Sequence, residues 1–231
     1  MTWGEDLAAW WVAEIESDPA YREVVLPMVA DLVGSPQGER WLDLGCGEGR
    51  VMRMLAGSGA RPIGCDSSAI LLGRAGGAGP VVLARLPHLG WLASGTVDGA
   101  IAVLVLEHLA DVEPFFADTA RVVRPDGALV LVANHPVFTS PGSAPVVDVA
   151  DGELLWRWGP YLRPGASEEP AGGRTLTFHH RPLGALLTAA AEAGWSLVRV
   201  VEVGTDPGEA GGPAPGQEQI PRLIGVRWRR G

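Results

Sequence analysis

One ten-residue stretch constrains this chain more than any other: Trp41-Leu42-Asp43-Leu44-Gly45-Cys46-Gly47-Glu48-Gly49-Arg50. Arg40 to Leu44 reads as a short buried strand. Glycines follow at every second position, and Val51, Met52, Met54 and Leu55 then begin an apolar helical pattern. Strand, glycine turn and helix are therefore expected in that order. Glycine lacks a Cβ and tolerates positive φ, so such a turn brings backbone close to a ligand. The start of the helix aims its unpaired N–H groups at the same place. Three glycines ending a buried strand cost stability, which makes a turn without a ligand the poorer explanation. Arg61 to Asp66 reads as the next strand. Asp66 at its end is placed to accept both hydroxyls of a ribose, or else to cap a helix.

The dinucleotide fingerprint G-x-G-x-x-G fits poorly, because the third glycine falls one place early and Arg50 stands in its position. The pattern D-x-G-x-G-x-G instead resembles motif I of the class I S-adenosylmethionine (SAM) dependent methyltransferases, in particular the type 11 group of small-molecule enzymes. The resemblance implies SAM as cofactor and S-adenosylhomocysteine (SAH) as product. It implies that Asp43 holds the amino-acid end of the ligand, directly or through water. Gly45, Cys46, Gly47, Gly49 and Arg50 would carry the methionine part, and Asp66 and Ser67 the ribose. In the family an acid before a Leu-Pro pair meets the adenine amino group. Leu86-Pro87 is present here, but Val82 stands where the acid is expected, so backbone groups of Leu83 and Ala84 are expected to serve. Leu104, in the fourth strand, completes the cofactor set.

The same resemblance runs on through Asp98 to Leu109, a continuous apolar strand followed by Glu107-His108-Leu109, and through Arg124-Pro125-Asp126-Gly127 into the strand Ala128 to Ala133. Asp111 is expected to cap the helix between them. A closing hairpin, with Leu223 to Trp228 as an inserted antiparallel strand, is a hallmark of the family. The expected fold is α/β: a Rossmann-like, mostly parallel seven-stranded sheet with an antiparallel last strand and helices on both faces. Residues 1–231 are expected to form one domain. Leu7, Trp10, Trp11 and Ile15 have helical spacing, Asp18-Pro19 breaks it, and a second helix follows, so about 1–38 forms an N-terminal cap. Residues 137–175, rich in Gly, Pro and Ser, form an irregular lid, and Thr205 to Pro215 reads as a disordered loop.

Composition narrows the partners. The net charge of −9, with all 18 basic residues arginine, disfavours a nucleic-acid partner. No apolar run approaches the ~20 residues of a membrane span, and no signal peptide is seen, so a cytoplasmic protein is expected. Cys46 and Cys65 read as packing residues rather than a disulfide or metal pair, and no metal is expected.

The implied reaction is in-line transfer of a methyl group to an oxygen, nitrogen or carbon nucleophile, driven largely by holding the reactants in line and dry. A histidine suits the removal of a proton from an acceptor such as a phenol. His108 after strand four is the first candidate, His135 after strand five and His180 the next. Trp10, Tyr21, Trp156, Trp158 and His179 are candidates for contact with a hydrophobic small-molecule acceptor, such as a secondary metabolite or a quinone-like ring. Alternatives are a catalytically silent SAM-binding protein or partner subunit, and an RNA or protein methyltransferase. The acidic charge and the lack of an Asn-Pro-Pro-Tyr-like element weigh against the last. The edge strand and N-terminal helices offer surfaces on which a homodimer could form.

Overall fold

The structure is a computed structural model that describes residues 5–17, 19–152, 154–171, 173–204 and 220–231. Asp18 of the expected helix break and the loop Thr205 to Pro215 lie outside the described residues. The chain begins with α1 (Glu5–Ser17) and a π-type stretch, Tyr21–Val25, that runs into α2 (Leu26–Val33), where Pro27 sits in the first turn. The strands and helices then alternate as β1 (Arg40–Leu44), α3 (Arg50–Gly57), β2 (Arg61–Asp66), α4 (Ala69–Arg74), β3 (Val81–Leu83), β4 (Val97–Val103), α5 (Glu113–Val122) and β5 (Val123–Asn134).

Next come a short helix α6 (Pro136–Thr139) and two antiparallel hairpins, β6 (Ala144–Val147) with β7 (Leu154–Arg157) and β8 (Gly165–Ala171) with β9 (Arg174–His180). The chain closes with α7 (Leu183–Glu192), β10 (Trp195–Val203) and β11 (Leu223–Arg230).

The seven-stranded sheet has the order β10-β11-β5-β4-β1-β2-β3. β11 is antiparallel to both β5 and β10, and the other pairings are parallel. This is the expected architecture, with its antiparallel strand between β5 and β10. Alternation along each strand sorts the core into two layers. Leu42 and Leu44, Ala100 and Ala102, Leu129 and Leu131 join α5 and α7 in one layer, around Phe115, Phe116 and Trp228. Trp41, Ile101, Val130 and Val132 face α2 and α3 in the other, with Met28 and Leu32. Gly99 is required where it stands, because a Cβ there would lie 2.7 Å from the Trp41 ring.

Some expectations need correction. The fourth strand stops at Val103 rather than Leu106, because Leu104 takes φ +55° and Leu106–His108 curls into a 3₁₀ turn. The fifth strand starts earlier, at Val123, with a register shift around Arg124 to Gly127 and Asp126 at φ +63°. Asp111 does not cap α5; Val112 holds that position without a side-chain cap. The segment 137–175, expected to be irregular, is built from α6 and the two hairpins.

Candidate functional site

The three glycines of the β1–α3 turn all adopt positive φ: +77° at Gly45, +53° at Gly47 and +84° at Gly49. This conformation is costly for a residue with a Cβ, so the turn requires glycine at each place. It is fastened to β2. The N–H groups of Gly45 and Cys46 donate to the Cys65 carbonyl (2.8 and 3.0 Å), and that of Gly47 to Asp66 Oδ2 (3.0 Å). The other Asp66 oxygen accepts from Ser68 N at 2.8 Å. Burial raises the Asp66 pKa, and these N–H bonds oppose the rise.

Asp43 sits on the face of β1 turned toward α3 and is 2 % exposed. Burial, with the nearby Asp66 charge adding to it and a hydrogen bond from Met52 N–H opposing it, pushes the carboxyl up to about 8. Its Oδ2 is buried without a hydrogen-bond partner. A buried carboxylate oxygen left unpaired is costly, and a donor supplied by a ligand would relieve that cost. Beside it, Arg50 Nε donates to Glu48 Oε1 (2.6 Å), and the Arg50 guanidinium lies 5.8 Å from the centre of the Tyr21 ring. Burial first, then Asp43 and Glu48, raise the pKa of the Tyr21 hydroxyl. Cys65 is likewise pushed up to about 12 by burial, so its thiol is a packing group.

A cavity of about 320 Å³ opens at the carboxyl edge of the sheet. Gly45, Gly47, Asp66 and Ser67 form its floor on the β1–β2 side, and Ala84, Arg85 and Leu86 its wall after β3. Val103, Leu104 and Val105 bound it at the end of β4, followed by His108, Leu109 and Ala110. Trp11 of α1 and Thr177 and His179 of β9 roof it. The roof is one packed unit, since Leu7 and Trp10 of α1 pack on Ala171, Leu176 and Phe178 of the second hairpin. Phe178 also stacks against His108, with ring centroids 5.0 Å apart. Burial, then the Arg181 and His108 charges, lower the His179 pKa, which favours its neutral form.

A family model described as a methyltransferase domain matches residues 42–131, the span that builds this floor and wall. A solved SAM-dependent methyltransferase from Mesorhizobium loti superposes with a TM-score of 0.72 at 26% identity, covering 93% of this chain and 99% of that one. Over this span the chain is similar to the SAM-dependent methyltransferases, a family whose cofactor is SAM. A Listeria monocytogenes protein provisionally given the same designation aligns with a TM-score of 0.75 at 19% identity, over 91% of this chain and 97% of its own. Among curated sequences, a ubiquinone biosynthesis O-methyltransferase of Rhizobium johnstonii is 34% identical over 155 residues, which are 61% of this chain and 62% of the relative. The chain thus matches less than two thirds of that relative's length.

The cavity gathers Gly45, Gly47, Asp66, Ser67, Ala84, Leu104, His108 and His179 from the residues singled out in the sequence. Asp43, Cys46, Gly49 and Arg50 stand behind its lining. Leu83 is not among the lining residues, and Ala84, which is, donates its N–H to the Asp66 carbonyl (2.9 Å). Val82 packs on the core.

Two of the expected catalytic histidines, His135 and His180, do not line the cavity. His135 is buried; its Nδ1 accepts from Val137 N (3.1 Å), so its Nε2 carries the proton and donates to Glu202 Oε1 (2.8 Å). His180 is buried between Tyr161 O (2.8 Å from Nε2) and Thr139 Oγ1 (3.2 Å from Nδ1). Both pin segments together. Trp10 packs under the second hairpin, and Tyr21 packs with the α2 and α3 layer. Trp156 stacks on Phe138 at 4.5 Å, and Trp158 is 57% exposed. None of these four aromatics lines the cavity.

The sequence reading passed over Leu71, Arg85 and Thr177. Arg85 had a signal in its place directly before Leu86-Pro87, and Thr177 in its period-2 relation to His179 on one strand. Among the described residues no group of three metal-ligating side chains converges, and no helix is long and apolar enough to cross a membrane.

Proposed function

We propose that the chain transfers a methyl group from SAM to a hydroxyl on an apolar small molecule, most simply a phenolic ring. The observation that carries this reading is the cavity itself, with a glycine and carboxylate floor on one side and His108, His179 and apolar β4 residues on the other. The residues fit SAM. Gly47 has nothing within 4 Å of the place where a Cβ would stand, leaving room over the backbone. Asp43 has an oxygen awaiting a donor, and Asp66 keeps acceptor capacity for a ribose. Bound there, SAM supplies an electrophilic methyl on a sulfonium.

The protein's own part is to hold and to dry the site. Leu104, Val105 and Leu109 exclude water beside the acceptor, and Trp11 closes the roof. Fixing the acceptor oxygen in line supplies most of the acceleration such a transfer needs. His108 is the proton acceptor for the hydroxyl, with neutral His179 beside it as a second hydrogen-bonding group. The relative's name as an O-methyltransferase favours oxygen as the attacked atom, and the net charge of −9 favours a small molecule over nucleic acid.

A second reading, a SAM-binding protein without turnover, is favoured by Val82, which leaves the adenine edge without its acid. Calorimetric titration with SAM, SAH and NAD, followed by SAH release assays over a panel of phenols and catechols, tests both. Micromolar binding of the two adenosyl ligands with turnover of a phenol is expected. Binding without turnover would support the second reading, and binding of NAD alone would overturn both.

A further inference from the structure

The turn that carries His108 is gripped by one residue far away in the chain. Arg181, directly after β9, donates from Nη1 to Leu106 O (3.2 Å) and from Nη2 to Ala110 O (2.8 Å) and Leu109 O. These three carbonyls surround His108 in sequence; Leu106 O also accepts from Leu109 N–H within the turn (3.1 Å), and Leu109 O and Ala110 O lie just beyond its end. A planar guanidinium can reach several such carbonyls at fixed angles, which an ammonium cannot. The same turn is held from the sheet side, where Asn134 Nδ2 donates to Glu107 Oε1 at 2.7 Å. On the roof side the His108 ring meets Phe178 of β9.

Arg181 does not line the cavity, whereas His108 and His179, on either side of its grip, both do. Neither the turn nor β9 shares a sheet with the other, since β9 pairs only with β8. The guanidinium is therefore a polar link between the roof strand and the His108 turn.

We propose that Arg181 is a positioning residue for His108, fixing the acceptor-side wall of the cavity through three backbone carbonyls rather than through its charge. This rests on the methyltransferase reading for its meaning in catalysis, but not for its test. The groups that share electrostatics with Arg181 are Glu113, Asp111, Glu107 and His179, and His179 also faces His108. A lysine at 181 keeps the charge toward all of them and loses the planar fork, so it separates position from charge.

The experiment follows the His108 ring signals and their nuclear Overhauser contact with the Phe178 ring by NMR in the intact protein, assigned with His108→Asn, for wild type, Arg181→Lys and Arg181→Ala. Each is run with and without SAH, and SAH affinity is measured by calorimetry. The expected result is displaced His108 ring signals and a weakened contact with Phe178 in both variants. SAH affinity should stay within about twofold, because the floor is untouched. Guanidinium ion at millimolar concentration should return the signals of Arg181→Ala to the wild-type positions. If Arg181→Ala does not fold, the lysine variant carries the comparison.

His108 signals and a Phe178 contact unchanged in Arg181→Lys overturn the proposal, because charge alone then suffices, and so does a displacement in Arg181→Ala that guanidinium fails to reverse. Failure of the wild type to bind SAH counts against the methyltransferase reading and leaves the ligand-free Arg181 comparison standing.

Discussion

Asp43 meets the start of α3 through the Met52 N–H and leaves its second oxygen with no partner. With the folded pKa raised from 3.8 to about 8, the carboxyl adds to stability below its unfolded value, and that contribution is lost as pH rises through about 8. Asp43→Asn, which keeps the shape and the acceptor for Met52 N–H, should therefore raise the melting temperature of the ligand-free protein near pH 8. It should also weaken SAH binding roughly 10- to 100-fold, the worth of a charge-assisted hydrogen bond. A cationic ammonium beside Asp43 would pull its pKa back down, so binding near pH 7 should release up to about one proton, read by calorimetry in buffers of different ionisation heat. Asp43→Asn should abolish that release. His135 tests the opposite case. Its pKa is lowered by burial against the pull of Glu202, so its contribution is full above about 6.5 and fades as pH falls below that value. His135→Ala should cost about 1–3 kcal/mol in denaturant unfolding and leave SAH affinity unchanged. The sequence showed that histidines follow strands four and five, but a ring's direction is decided by partners such as Glu202 and Tyr161, which are 67 and 19 residues distant.

At the scale of elements, the glycine turn separates folding from binding. A Cβ at Gly45 would lie 2.6 Å from Val105 Cγ2, whereas one at Gly47 meets nothing within 4 Å and differs only in its φ of +53°. Gly47→Ala should thus cost about 1–2 kcal/mol of stability, yet abolish the thermal shift given by SAH, because the added methyl enters the cavity floor. Gly45→Ala should lose more stability, through the clash added to the strain. An SAH shift retained in full by Gly47→Ala would place the cofactor elsewhere. The β1–α3 turn was legible because glycine spacing encodes backbone conformation directly. The hairpins between β5 and α7 were not, because Pro145 and Pro170 lie inside their strands and Gly142, Gly159 and Gly173 break the alternation that marks a strand.

Across the whole molecule, the two hairpins differ in their ties. The second is packed on α1 and gripped through Arg181, and the first leaves Val147 at 58% and Val149 at 100% exposure. In hydrogen exchange, SAH should slow the Gly45–Gly49 turn and Thr177–His179, and leave β6 and β7 unchanged. Protection of β6 and β7 would return Trp156 and Trp158 to the site. The sheet order was legible from its continuous apolar strands, since a run such as Ala100 to Val103 must be covered on both faces.

The place of β11 bears on how the protein is made. It lies between β5 and β10, so during synthesis the strands that carry the cofactor floor emerge early and wait with an open edge on β5. β10 has no lateral partner until β11 arrives, and the Trp228 side of the α5–α7 layer stays unfilled. Closing the sheet therefore takes an insertion rather than an addition, and that insertion needs contacts between segments about 90 residues apart, such as Val132 and Gly225.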